Sequence, residues 1–342
     1  MNKRKILGVY KWATMGGVER VLLNRAHAIS AQHLDFQYDV FYFHDSGGRK
    51  QFDDYLIENK LDSVMKTVDE IDSSKYDYVL SIDTPEILDY IEPDKLFMEC
   101  HTSYKRNRMY LESLPTNIKG VLVPSQQFKK ELEAELREQL REKLRVLPNS
   151  VYINTDIENY NINAIYSKKP ILYIGRLDIL KNIEELIKIV SLYNSKKDDL
   201  FLILAGTIID HEINLIHLLE KYNMVHRTIY LPPVRFDKVW SLLKFIKTNK
   251  GIFMSASLKE SFGLSVAEAM QFGIPVLALN NSAHNNLLHG DSDFLFETNQ
   301  LDLTVEKLEN ILSNYDASAT LVKGYVEHLE KNFLEEWGNL FT

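Results

Sequence analysis

Glu260 and Glu268 flank the short run Ser261-Phe262-Gly263-Leu264 within the stretch Ser257 to Pro275. A carboxylate beside a glycine turn accepts strong charge-assisted hydrogen bonds from hydroxyl groups, and one inside the first turn of a helix caps it; Glu268 can do either or both. A second loop carries Gly175, Arg176 and Lys181. Two cations at a strand-to-helix connection suit phosphate, and buried cation-to-phosphate hydrogen bonds are worth roughly 1.5–3 kcal/mol each. Glu260 itself is a poor phosphate ligand, because like charges repel. A sugar joined to a nucleoside diphosphate offers both a polyhydroxyl ring for the acid and phosphates for the cations.

The elements around these residues say how they are positioned. Ile252 to Ala256 after Gly251, and Val276 to Leu279, are apolar runs of strand length. Between them Ser265 with Glu268 forms a capping-box pair, and Gly273 with Pro275 stops the helix. The unit is strand, polar loop, helix, strand, so the loop lies at the carboxyl edge of a parallel sheet with a helix amino end pointing into it. Such an end, here with the backbone N–H groups of Phe262, Gly263 and Leu264, favours a negative group by roughly 0.3–2 kcal/mol. Upstream, Pro170 to Ile174 reads as a strand leading through Gly175 to Asn182 into a helix from Ile183 to about Tyr193. Phe201 to Leu204 is a strand ending at Ala205-Gly206-Thr207, Ile229 to Val234 is another, and Asp237 to Lys247 is a helix.

The first half repeats the alternation. Strands are expected at Lys5 to Tyr10, Tyr38 to Phe43, Tyr78 to Ile82, Leu96 to Cys100, Val121 to Val123 and Arg145 to Leu147, with a helix at Val18 to Ser30. Alternation of this kind predicts an α/β fold with doubly wound parallel sheets. The first turn, Met15-Gly16-Gly17-Val18-Glu19-Arg20, allows a close approach to the backbone but is not the G-x-G-x-x-G fingerprint, which disfavours a nicotinamide enzyme. Gln126 to Lys143, with leucines at 132, 136, 140 and 144, reads as one long solvated amphipathic helix. His101 follows directly on a strand and opens a basic loop with Lys105, Arg106 and Arg108.

The 342 residues are 45% hydrophobic and 26% charged, enough for two ordinary domains. A net charge of −8 argues against nucleic acid as a partner. No apolar run reaches membrane-spanning length, and the single Cys100 excludes an internal disulfide and any cysteine-rich metal site. The expectation is a soluble cytoplasmic protein. Asp291-Ser-Asp293 reads as a turn feeding a strand rather than a metal site. Asn154 to Lys169 is polar and suits an interdomain linker, while Leu321 to Phe341, with Tyr325, Leu329, Phe333 and Trp337 at four-residue spacing, predicts one amphipathic helix.

The block Ser-x-x-Glu-Ser-Phe-Gly-Leu-Ser-Val-x-Glu-Ala-Met-x-x-Gly-Ile-Pro-Val resembles the E-x7-E signature of retaining glycosyltransferases of family 4. Gly175-Arg176 with Lys181 resembles the Gly-Arg-x5-Lys of that family, and Gly16-Gly17-Val18-Glu19-Arg20 its Gly-Gly-x-Glu-Arg start. The resemblance implies a GT-B architecture of two Rossmann-like domains facing across a cleft: 1–160 on the acceptor side, 161–321 for the nucleotide sugar, and a 322–342 helix returning to the first domain. It further implies metal-independent transfer of a hexose, with retention, to a saccharide, lipid-linked or protein-linked acceptor; a UDP-sugar is the commonest donor in the family. No cofactor is implied. Arg176 and Lys181 would clamp the diphosphate, Glu260 and His101 would orient the sugar, and Glu268 would bind the ribose. Gly16, Gly17, Gly175, Gly206, Val234, Ser261, Phe262, Gly263 and Leu264 would line the donor. The stretch Leu147-Pro-Asn-Ser-Val resembles the family's Pro-Asn-Gly-Val-Asp, with Ser150 for the glycine and no aspartate at the expected place. After Asn280 the usual glycine pair is replaced by Asn281-Ser282-Ala283-His284. Two other readings fit the same residues: another GT-B enzyme such as a nucleotide-sugar epimerase, and a non-catalytic GT-B subunit that binds glycosylated protein or supports a partner transferase. Peripheral attachment to the inner face of a membrane or to a partner protein is compatible with each.

Overall fold

The computed structural model describes residues 3–154, 168–210 and 213–341. They form two units: one runs to Tyr152 and resumes at His328, and the other is Ile153–Glu327. In the first, β1 (Arg4–Ala13), β2 (Phe36–Asp45), β3 (Thr67–Val68), β4 (Tyr78–Ile82), β5 (Leu96–Glu99), β6 (Gly120–Val123) and β7 (Leu144–Val146) make one sheet in the order β3-β2-β1-β4-β5-β6-β7. Every pair is parallel. Helices α1 (Gly17–Ala31), α2 (Arg49–Glu58), α3 (Gln126–Glu133) and α4 (Glu138–Arg141) belong to this unit. Parallel strands carry near-continuous apolar runs because both faces are covered, as Ile6, Leu7, Val9 and Val79, Leu80 are here.

The long helix expected over Gln126 to Lys143 is two short ones. Leu132, Leu136, Leu140 and Leu144 are all buried, and the chain turns between α3 and α4 to send them into the core. At that turn Glu135 receives the Arg108 guanidinium at 2.8 and 2.9 Å. Arg108 is therefore not a loop cation facing solvent.

The second unit contains β8 (Lys169–Ile174), β9 (Leu200–Ala205), β10 (Thr228–Leu231), β11 (Ile252–Ser255), β12 (Val276–Leu279) and β13 (Leu295–Phe296). Their order is β10-β9-β8-β11-β12-β13, again all parallel. Helices α5 (Ile183–Lys196), α6 (Leu215–Lys221), α7 (Phe236–Thr248), α8 (Leu264–Gln271), α9 (Ser282–Leu287), α10 (Leu301–Ser313) and α11 (Tyr315–Val326) cover it. Strand order reverses between β1 and β4 in one sheet and between β8 and β11 in the other, and ligands of such sheets bind outside the carboxyl ends at that reversal.

The single carboxyl-terminal helix expected from Leu321 is instead α11 and α12 (Leu329–Phe341). The apolar spacing runs on through the break, but its residues serve different cores. Tyr325 donates its hydroxyl to Asp291 at 2.9 Å in the second unit, whereas Trp337 packs on Phe36 and Tyr38, and Phe341 on Tyr78 and Phe97, in the first. The proposed linker at 154–169 lies largely outside the described residues. No helix among the described residues is long and apolar enough to cross a membrane.

Candidate functional site

Two loops meet where the second sheet reverses its order. The first leaves β8 at Gly175, whose N–H donates to Ala205 at 3.0 Å. Gly206 beside it has φ +149°, and a Cβ there would stand 1.8 Å from the Gly175 carbonyl oxygen, so only glycine lets the β8 and β9 turns lie this close. Asp178 caps the 3-10 turn Ile179–Lys181 by accepting the Lys181 N–H at 3.0 Å, and its carboxylate lies 3.5 Å from the Arg176 guanidinium. The second loop leaves β11 at Ser257, and Leu258 N–H donates to the Leu180 carbonyl at 2.8 Å, stitching the two together. This brings the Lys181 ammonium to 2.5 Å from Glu260 Oε1, and Ser257 Oγ donates to the same oxygen at 2.9 Å. Burial by itself would raise the Glu260 pKa. The charge on Lys181, the nearby His284 ring and the two hydrogen bonds outweigh it, so the carboxylate titrates below its ordinary range.

Helix α8 begins one residue before Ser265. Its cap is Gly263, at φ +87°, and not the capping box expected from Ser265 and Glu268. The left-handed glycine turns the chain directly from loop into helix, which places Ser265 inside the first turn and Glu268 in the second, buried. The first-turn N–H groups have no intrahelical acceptor and lie beside the Glu260 loop. A side chain at Gly263 would come within 3.1 Å of Leu287 and 3.3 Å of the His284 ring. Phe262 is buried, while Ser261 and Leu264 are half-buried.

His284 is a member of this site that its sequence position hid. It is fully buried in α9, with Nδ1 donating to the Leu279 carbonyl at 2.8 Å and Nε2 without a hydrogen bond among the described residues. Burial lowers its pKa despite the facing Glu260. Asn281 caps α9 and also donates to the Ser257 carbonyl at 2.7 Å, tying this helix to the Glu260 loop. The only signal was the departure at residues 281 to 284 from the resembled pattern.

The structure thus joins Lys181, Glu260, Gly263 and His284. Arg176 is half exposed and faces Asp178, so the two cations expected to act together have different partners here. Val234 is half-buried in the turn between β10 and α7. In the first unit, the Gly16-Gly17 turn opens α1, but its donors are taken up internally: Thr14, Met15 and Gly16 give their N–H groups to the Glu19 carboxylate at 2.5, 3.0 and 2.8 Å. His101 stands at the end of β5, its ring Nε2 3.0 Å from Glu99 Oε2. Asp291 accepts from the Asp293 N–H at 3.0 Å as well as from Tyr325, the hydrogen bonding of a turn. Among the described residues no group of three His, Cys, Asp or Glu is placed to hold a metal ion.

Residues 156–325 match the family model of glycosyl transferases group 1. The chain is similar to sucrose synthase 6 of Oryza sativa subsp. japonica, 33% identical over 126 residues, which are 33% of this chain and 15% of the rice protein. An uncharacterized glycosyltransferase of Haemophilus influenzae is 28% identical over 183 residues, 51% of this chain and 49% of that one. These curated relatives are matched over half of their length or less. In fold the chain resembles Anabaena Alr3699/HepE, solved in complex with UDP-glucose, with a TM-score of 0.74 at 17% identity over 98% of both chains.

Proposed function

We propose that this chain, a group 1 glycosyl transferase by residues 156–325 and a GT-B protein by its fold, moves a hexose from a nucleoside diphosphate sugar to a saccharide, lipid-linked or protein-linked acceptor with retention at the anomeric carbon. The observation that carries the reading is the Lys181–Glu260 pair, held by two loops at the reversal of the second sheet beside the amino end of α8.

The ion pair keeps both charges satisfied and in position. When the donor enters, Lys181 has three N–H bonds to share and turns part of them to the diphosphate, and Glu260 accepts from hydroxyls of the hexose. Arg176 swings from Asp178 to the phosphates, and the α8 amino end adds its free N–H groups. Glu268 accepts from the ribose. His101 is proposed as a further hydrogen-bond partner of the sugar.

In the step itself the anomeric C–O bond breaks with its electron pair going to the diphosphate, and a C–O bond to the acceptor oxygen forms on the same face. The acceptor's proton passes to the departing phosphate oxygen. Lys181, Arg176 and the helix end stabilise the charge that grows there, which is the largest kind of contribution such a site makes. No enzymic nucleophile or metal takes part in this scheme. The HepE complex with UDP-glucose supports uridine as the base.

The test is incubation of the protein with UDP-glucose and a panel of acceptor saccharides, with products read by NMR in the presence of a chelator. Transfer with an α-linked product from the α-linked donor is expected. An inverted product, or a free epimerised donor, would refute the proposal.

A further inference from the structure

His101 is held at two points by acids from neighbouring strands. Its backbone N–H reaches both carboxylate oxygens of Asp83 at 3.1 and 3.2 Å, at the end of β4. Asp83 has φ +45°, a left-handed conformation unusual for a residue with a side chain, and its own N–H donates to the Glu99 carbonyl at 2.9 Å. Tyr110 donates its hydroxyl to the same carboxylate at 2.9 Å. The ring is held separately, by Glu99 on the face of β5 that carries α1.

Glu99 is fully buried and already engaged. Arg25, projecting from α1, donates to its two oxygens at 2.8 and 2.7 Å in a bidentate pair, with Tyr38 3.4 Å from the same guanidinium and Trp337 beneath it. Burial opposes a charged Glu99, but Arg25 prevails and, with His101, lowers its pKa to about 2. A carboxylate in that state is an acceptor only, so the ring nitrogen beside it must be the donor. The other ring nitrogen, Nδ1, makes no hydrogen bond among the described residues.

We infer that Glu99 and Asp83 are positioning residues: Asp83 anchors the backbone of His101, and Glu99, clamped by Arg25, holds its imidazole as the Nε2–H tautomer so that Nδ1 accepts a hydrogen bond from a hydroxyl of the transferred sugar. The last clause rests on the proposed role of His101 in transfer. The arrangement follows a general rule for functional histidines, that the nitrogen facing the ligand is set by the hydrogen bond the other one makes. Its consequence is selectivity for hydroxyls that can donate at that point; a deoxy or fluoro substituent there leaves Nδ1 unsatisfied.

The experiment is NMR of the full chain with 13C,15N-labelled histidine, recorded above the pH at which the rings titrate. The His101 signal is identified by its disappearance in His101→Gln. An Nε2–H ring is expected in the native protein, and an Nδ1–H or doubly protonated ring overturns the inference. In Glu99→Gln, Arg25 retains the amide oxygen and the amide N–H turns to the ring, so the tautomer switches to Nδ1–H. The kcat/KM for the donor falls about 10–100-fold, the range seen when the outer partners of metal-bound histidines are lost. A fall in rate with the tautomer unchanged reduces Glu99 to a packing role and overturns the inference. Because Glu99→Gln leaves Arg25 buried with a weaker partner and can fail to fold, the native spectrum stands as a test independent of any variant. If His101→Ala keeps full donor kinetics while the native ring is Nε2–H, the proposed role of His101 fails and the sugar contact falls with it.

Discussion

The two units share a strand order and each places a glycine turn before a helix at the carboxyl edge, yet their turns treat charge in opposite ways. In the first, the N–H groups of Thr14, Met15 and Gly16 close on Glu19, three residues into the helix they precede. In the second, Glu260 is held by Lys181 from a separate loop and by Ser257 from its own, and the first turn of α8 has no side-chain cap. An anion tethered a few bonds away cannot be exchanged for a ligand at low cost. A pair of side chains from two loops can, since each partner can redirect its hydrogen bonds when phosphate or hydroxyl arrives. The same topology therefore gives a turn closed on its own helix in one half and, in the other, the turn at which the donor is proposed to bind.

The sharpest way to break this contrast is Glu260→Ala. Transfer is expected to fall about 10²- to 10³-fold, the loss found when one preorganised polar group is removed from a charge-stabilising site. Initial rates with UDP-glucose, set beside the far-UV spectrum of the variant, measure it; a rate within threefold of the native protein would remove Glu260 from the mechanism.

Gly206→Ala tests whether the second unit needs its loops this close. The added Cβ meets the Gly175 carbonyl at 1.8 Å and the backbone sits at φ +149°, so a stability loss of roughly 2–4 kcal/mol is expected in urea unfolding.

Glu19→Ala probes the other side of the contrast. Three part-buried N–H groups lose their acceptor, which costs about 1 kcal/mol or somewhat more, while calorimetric affinity for UDP stays within twofold. A large loss of UDP affinity with unchanged stability would make the first turn a donor site after all.

The smallest effect is on pH dependence, and it tells the units apart through their histidines. Burial lowers the His27 pKa from 6.5 to about 4, and His284 is shifted the same way. Between those values the native protein binds fewer protons than the unfolded chain, so stability falls as pH drops through the window. Thermal melting at pH 7.5 and 5 should show a lower midpoint at pH 5. In His27→Gln the drop should shrink, leaving the part due to His284.

The alternation of strands and helices was legible because parallel strands buried on both faces must be apolar throughout, and Tyr78–Ile82 and Val276–Leu279 have the bounds their composition implies. Helix lengths were less so. Leucines at four-residue spacing look the same whether they line one helix or two joined by a buried turn, and neither glycine nor proline marks the breaks after Glu133 or Val326. The capping-box reading of Ser265 failed for a related reason: a glycine able to take a positive φ starts the helix earlier than a side-chain cap would.

What the chain's order of residues determined by itself is the local chemistry: a strand, a glycine turn and a helix carrying Glu260 and Glu268, and another carrying Arg176 and Lys181. Which of these charges meet was decided by the tertiary structure. Lys181 reaches Glu260 across 79 positions only because β8 lies beside β11, and Arg25 of α1 reaches Glu99 of β5 across 74. Charge attraction acts through space at a few ångströms, and only folding sets which residues come within that range.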